Sequence, residues 1–332
     1  MGNRNYKLLN FIKNRIKKSS NSQIENSPSS AIHIALLGTG GPMNNSKRIG
    51  ATGIGIISDD KFMLFDCGSG VWRNADLMKL PRANLKAIFL THFHSDHIAD
   101  LGETAFGSWV QGRTIPLEIY GPEGVQDIVD GYSKAYSHDF RYRILHHGEE
   151  IMPIEASQLI PKPISLPLKG TPELPSESVR VYTDETFNIH AWEADHGPVK
   201  PAVSYRIYIH GKHIVILGDT NYHPWMHKLC KNADLIISNA ILHEAAGLLS
   251  VANANLGFFR FAKITTDIQN YHMSPIQAAT LTHEAGAKKL VLVHVTPPIL
   301  NWMIKRKYLK GVKKIFSGPV VLGEDKMLMT IK

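Results

Sequence analysis

Cysteine is scarce in this chain. Only Cys67 and Cys230 occur in 332 residues, far apart and in no C-x-x-C pair. Two thiols supply no disulfide framework and suggest a reducing compartment, so a cytoplasmic location is expected. Long apolar runs are missing too; none approaches the length that spans a bilayer, which argues against an integral membrane protein. Acid is absent from the first 24 residues and from residues 305–314, and each stretch carries six cations. Together they exceed the net charge of +8, so the remaining body is net acidic. A field attracting polyanions would come from these two patches alone, and the high pI is no sign of nucleic-acid binding by itself.

What the chain does have is histidine, concentrated at one place. Thr91-His92-Phe93-His94-Ser95-Asp96-His97 puts three imidazoles and a carboxylate within six residues, just after the apolar run Ala87–Leu90. That run reads as a buried strand, and ligand sites in α/β proteins gather at such strand ends. His92 and His94 share one face of an extended segment and can bind a single ion, whereas Asp96 and His97 follow a turn and point toward a second. Imidazole plus carboxylate without thiolate suits zinc first, iron or manganese less well. Separate burial of three unrelated histidines would be costly, which favours a metal site over a structural cluster.

Residues 1–30 read as an appendage: a basic amphipathic segment over 1–18, lacking the apolar core of a secretory signal, then a Ser/Asn-rich linker. Membrane-surface contact through residues 1–18 is an alternative to a merely solvated tail. One domain follows over 31–332. Strands are expected at Ile32–Leu37, Gly53–Ile57, Phe62–Phe65, Leu117–Tyr120, Phe187–Glu193, Ala202–Ile209, His213–Leu217, Leu235–Ile237 and Leu290–Val293. Helices are expected at Val71–Leu80, Ile98–Trp109, Gly124–Tyr136 and Ser274–Ala285. Val320–Leu322 and Met327–Ile331 read as a closing hairpin around Glu324-Asp325. A proline-rich interval, 146–178, reads as an irregular insertion near the site mouth. The glycine turn Gly38–Pro42 has no Gly-Lys-Ser/Thr helix behind it, so a phosphate-loop reading is set aside. Asp66 ends its strand where it can orient a metal ligand. Further strand ends carry His196, Asp219 and His294, and ends at one sheet edge converge.

These marks, with Leu-Gly-Thr-Gly-Gly-Pro, Phe-Asp-Cys-Gly, Ile-Tyr-Gly-Pro, Asp-His-Gly-Pro, Leu-Gly-Asp-Thr and Leu-Val-His-Val, resemble the metallo-β-lactamase fold superfamily. The similarity runs from about Ile34 to Ile331 and is strongest to the branch holding ribonuclease Z and the arylsulfatase-like hydrolases. It implies a four-layer αβ/βα sandwich of two mixed β-sheets, and a dimer. It also implies two divalent ions, the first held by His92, His94 and His196, the second by Asp96, His97 and His294, with Asp219 bridging. The implied reaction is attack by a bridging hydroxide on an ester, with Asp96 able to accept its proton.

Two departures from ribonuclease Z shape the expectation. His-Glu-Ala-Thr should follow Leu235–Ile237 directly; here Ser238-Asn239-Ala240 stands there, and His243-Glu244-Ala245 comes five residues later. Glu244 and Asn239 are thus rival occupants of the acidic position, while His272 falls where the family keeps a histidine near the leaving group. No long glycine-rich basic arm is recognisable between Tyr120 and Phe187. The expected function is a metal-dependent hydrolase of a small phosphodiester, with arylsulfatase or lactonase next and tRNA 3′-end cleavage after them. A lactonase would need an apolar pocket, for which Tyr205 and Trp109 are candidates. A metal-binding scaffold ranks last.

Overall fold

A computed structural model describes residues 5, 8–13, 20–42, 50–167, 177–299 and 301–331. The basic N-terminal segment lies largely outside these. Of it, residues 8–13 are helical, with Leu8, Leu9, Phe11 and Ile12 exposed. Fourteen strands form two sheets among the described residues. The strands are β1 (Ile32–Gly38), β2 (Gly53–Ser58), β3 (Lys61–Phe65), β4 (Leu85–Phe89), β5 (Leu117–Pro122), β6 (Leu159–Ile164) and β7 (Val179–Thr183). They continue with β8 (Phe187–Glu193), β9 (Val203–Ile209), β10 (Lys212–Ile216), β11 (Leu235–Ile241), β12 (Leu290–Thr296), β13 (Val320–Leu322) and β14 (Met327–Ile331). The first sheet runs β14-β1-β2-β3-β4-β5-β6 and the second β13-β12-β11-β10-β9-β8-β7.

Strand alternation explains why the sheets stack. In β1, Ile32, Ile34 and Leu36 face one apolar cluster while Ala35 and the following Leu37 face another. In β12, Val291 and Val293 join that first cluster and Leu290 and Leu292 join a third. The shared cluster combines residues of both sheets, and each outer cluster combines one sheet with its helices. Period-two burial on both faces requires cover on both faces, and the result is the αβ/βα sandwich.

Direction then positions the site. β3 through β6 run parallel, as do β10 through β13. β8 is antiparallel to β9, and β9 to β10, so the end of β8 arrives at the same edge as that of β10.

Two expectations need correction. The last two strands are not a hairpin: β13 pairs parallel with β12 in the second sheet, whereas β14 pairs antiparallel with β1 in the first. Asp325, between them, accepts bonds from Thr39 N and Oγ1 and from Gly50 N, so the supposed turn is a strap across the sheet ends. The described part of the proline-rich interval is also more regular than expected; its residues 168–176 lie outside the described residues. A helix continues through His147, and β6 pairs in parallel with β5 despite Pro161 and Pro163. An edge strand bonds on one side only, so proline's missing N–H can face outward.

Candidate metal centre

The histidine motif leaves β4 in extended form and turns at His94 into a short helix, Ser95–Ile98. His92, Asp96 and His97 are buried and His94 is exposed at the mouth. His196 follows β8, Asp219 follows β10 and His294 sits in β12; all three are buried. His294 and Asp66 both adopt left-handed backbone, with φ of 52° and 57°. Non-glycine residues hold that conformation at a cost of about 1–3 kcal/mol, and such strain concentrates where geometry matters.

The side chains converge. His94 Nδ1 lies 2.9 Å from His92 Nε2 and 3.3 Å from His196 Nε2. Asp96 Oδ2 lies 3.3 Å from His294 Nε2 and 3.6 Å from His97 Nε2. Asp219 Oδ2 reaches His272 Nε2 at 3.1 Å, His294 Nε2 at 3.2 Å and His97 Nε2 at 3.4 Å. Ligand atoms of His92, His94 and His196 lie within 4.8 Å of one another, and so do those of Asp96, His97 and His294.

Around this cluster stand groups that hold the rings. Asp66 Oδ2 is 2.8 Å from His97 Nδ1 and accepts from Thr91 Oγ1 at 2.9 Å, while Asp66 Oδ1 accepts from Thr91 N at 2.8 Å. His196 Nδ1 faces the Tyr271 carbonyl and His272 Nδ1 the Ile268 carbonyl. A carboxylate or carbonyl on the far nitrogen turns the near lone pair toward the centre. The glycine turn has a packing purpose: a Cβ on Gly41 would come within 2.9 Å of His294 Cε1.

Charges inside are strongly displaced. Burial, reinforced by His97, pushes His92 well below the ordinary histidine range, and burial brings His196 down to about 4. Burial opposes a proton on His97 and His294 as well, but Asp66 and Asp219 outweigh it at His97 and hold that ring well above its usual value. Asp219 and Asp96 do the same for His294, which rises to about 10. Burial would raise Asp219, yet His294, His97 and His272 hold it well below the carboxylate range.

Do these residues suit metal ions? His97 Nε2 is fully buried, has no hydrogen-bond partner and points among carboxylate oxygens. Three imidazole nitrogens crowd one another at hydrogen-bond distance in the other group. A divalent cation in each group would satisfy these atoms, and the imidazole–carboxylate set is one that zinc accepts.

Other sequence candidates lie elsewhere. Glu244 is exposed at the start of the helix His243–Asn255 and pairs with Lys307 at 2.8 Å, away from the cluster. Its neighbour His243 instead bonds the His272 carbonyl at 2.9 Å and so supports the loop. Asn239 is buried on β11, and both its amide atoms lack a partner. Tyr205 and Trp109 are fully buried core residues, bonded to the carbonyls of Leu90 and Pro153. Thr91, Gly41 and the Tyr271 carbonyl escaped sequence reasoning; only the adjacency of Thr91 to the motif hinted at any of them.

A family model described as the beta-lactamase superfamily domain matches residues 62–295. The chain is 32% identical over 299 residues to ribonuclease Z of Mycobacterium bovis (strain BCG / Pasteur 1173P2), spanning 89% of this chain and 96% of that protein. Ribonuclease Z of Mycobacterium marinum is 31% identical over 303 residues, with the same coverage of 89% and 96%. Among solved structures, the metallo-β-lactamase fold protein YhfI of Bacillus subtilis aligns with a TM-score of 0.61 and 23% identity, over 91% of this chain and 100% of that one. The short form of human tRNase Z aligns at 0.61 and 24%, over 90% and 99%. Both share the fold. With its two mixed sheets and its edge of histidines and aspartates, the chain belongs to the β-lactamase superfamily, as a metal-dependent hydrolase of the metallo-β-lactamase fold akin to ribonuclease Z.

Proposed function

We propose that this chain hydrolyses phosphodiesters at a dinuclear, zinc-type centre. His92, His94 and His196 hold one ion, Asp96, His97 and His294 the other, and the Asp219 carboxylate lies between the sets. The observation that carries this reading is that His92, His94 and His196 form one close group of ligand atoms and Asp96, His97 and His294 another, while Asp219 links them, grouping with His92 and His97 and with His196 and His272 and placing Oδ2 within 3.9 Å of His97, His196 and His294. Two such ions, when bound, activate water for attack and clamp the attacking and leaving oxygens of an in-line displacement.

The chain supplies the proton inventory. Asp96, whose carboxylate stays ionised beside His294, accepts the proton of the attacking water. His272 presents Nδ1 to the Ile268 carbonyl and Nε2 to Asp219, so that its Nε2 faces the centre. A ring so held serves as general acid toward the leaving oxygen. Two free, buried cysteines suit a reducing, cytoplasmic setting.

A small phosphodiester is the first substrate class. A second reading, cleavage at the 3′ side of tRNA precursors, draws on relatives named ribonuclease Z along 96% of their length. Between Tyr120 and Phe187 the described residues form mainly two helices and two strands at sheet edges, with no long arm of the kind expected to bind tRNA. The deciding experiment measures metal content and hydrolysis of bis(p-nitrophenyl) phosphate, a precursor tRNA, an aryl sulfate and a lactone, with Asp219→Ala alongside. Two metal equivalents and diester turnover abolished by the substitution support the proposal. Turnover of precursor tRNA alone selects the second reading. Turnover of only the sulfate or lactone, or none with metal absent after reconstitution, overturns it.

A further inference from the structure

Helices His243–Asn255 and Phe259–Asp267 form a hairpin that the catalytic reading does not use. They are tied together by Ser250 Oγ, which donates to the Ala262 carbonyl at 2.9 Å and lies 2.7 Å from Thr266 Oγ1. Only Ala246, Ala262 and Thr265 of the pair are buried. The apolar side chains point outward instead: Leu248, Val251, Leu256, Phe258, Phe259 and Phe261 are all at least half exposed. Leu256 at 71% and Phe259 at 72% flank the turn at Gly257. Large apolar side chains exposed in this number on one hairpin mark an interaction surface.

Beside the hairpin lies the cationic stretch. Lys307 reaches Glu244 at the hairpin's base, and its helix, Trp302–Tyr308, exposes Trp302, Met303, Lys305 and Arg306. Arg260 adds an exposed cation on the hairpin itself, whereas Lys263 is paired with Asp267 and Lys305 with Glu324, leaving Arg260, Arg306 and Lys310 to meet a partner's charge.

We infer that this face docks on an anionic lipid bilayer, the aromatic and aliphatic side chains entering the headgroup boundary and the cations resting on the phosphates. Charge decides among occupants. Two copies related by a two-fold axis would bring like cations together. A nucleic acid would take the cations but leave six large apolar side chains in water. An anionic membrane surface accepts both sets at once. None of these exposed side chains is among the residues assigned to the metal centre, so the inference stands whatever the substrate is.

Co-sedimentation of the full-length protein with phosphatidylcholine vesicles, with and without 30% phosphatidylserine, tests the inference. Wild type is expected to bind the anionic vesicles and not the neutral ones. Phe258→Ser with Phe259→Ser, and separately Arg306→Glu with Lys310→Glu, are each expected to weaken binding at least tenfold, while bis(p-nitrophenyl) phosphate hydrolysis and the melting temperature report intact folding. Absence of wild-type binding overturns the inference. So does equal binding by the phenylalanine variant, which would shift the contact to residues 1–18. A concentration-dependent dimer that the same variant dissolves, without vesicle binding, overturns it in favour of a second copy.

Discussion

The roles proposed for His272, beside Asp219, and Asp66, beside His97, are separable by experiment. If His272 protonates the leaving oxygen, His272→Ala should lower kcat by about 10²–10⁴-fold on a diester with an alkoxide leaving group. The same variant should lose far less on bis(p-nitrophenyl) phosphate, whose phenolate departs unprotonated; equal losses would reduce His272 to a structural role. Asp66 holds the far nitrogen of His97, so Asp66→Asn should weaken metal affinity by about 10–100-fold, read by competition with a chelating dye. His294 gives the pH dependence. Its value in the folded chain, about 10, exceeds the ordinary 6.5, so the stability it draws from Asp219 and Asp96 is complete below 6.5 and fades as pH rises toward 10. Metal binding has the opposite sign, because a ligating imidazole must be deprotonated. The Tm difference between metal-loaded and chelator-treated protein should therefore widen from pH 6.5 to 9 in differential scanning fluorimetry; a constant gap would contradict this account.

Strand ends did most of the positioning, and they were readable because strand and ligand are neighbours in sequence. Phe89 to His97, Val293 to His294 and Phe65 to Asp66 each join an apolar run to a polar terminus. What resisted reading was set by partners distant in the chain. Whether Val320–Leu322 joins Met327–Ile331 or Leu290–Thr296 depends on which sheet offers a free edge, and local pattern carries no record of that. Glu244 fits a motif in sequence, yet β11 runs on to Ile241 and carries it past the cluster to Lys307. The Phe259–Asp267 helix was missed because its apolar residues face solvent and the usual inward stripe is absent. Close approach of backbones is equally silent in sequence. A Cβ on Gly68 would stand 2.0 Å from the Asp96 carbonyl oxygen, where no flexible side chain can yield. Gly68→Ala should thus cost about 1–3 kcal/mol in urea unfolding and displace Asp96.

The two sheets are joined twice at the end of the chain, by β13 and β14 on opposite sides of the sandwich and by Asp325 holding the glycine turn between them. β14 covers the edge of β1, whose seven residues are all buried. Deleting residues 324–332 should leave that strand as an uncapped apolar edge, and the truncated protein should appear in the insoluble fraction on expression. The same arrangement has a consequence for biosynthesis. β1 waits for β14, so it stays half-paired while nearly three hundred residues are translated. At ~5–20 residues per second the nascent chain carries a sticky edge for about 15–60 s, an interval in which a ribosome-associated chaperone would find its client.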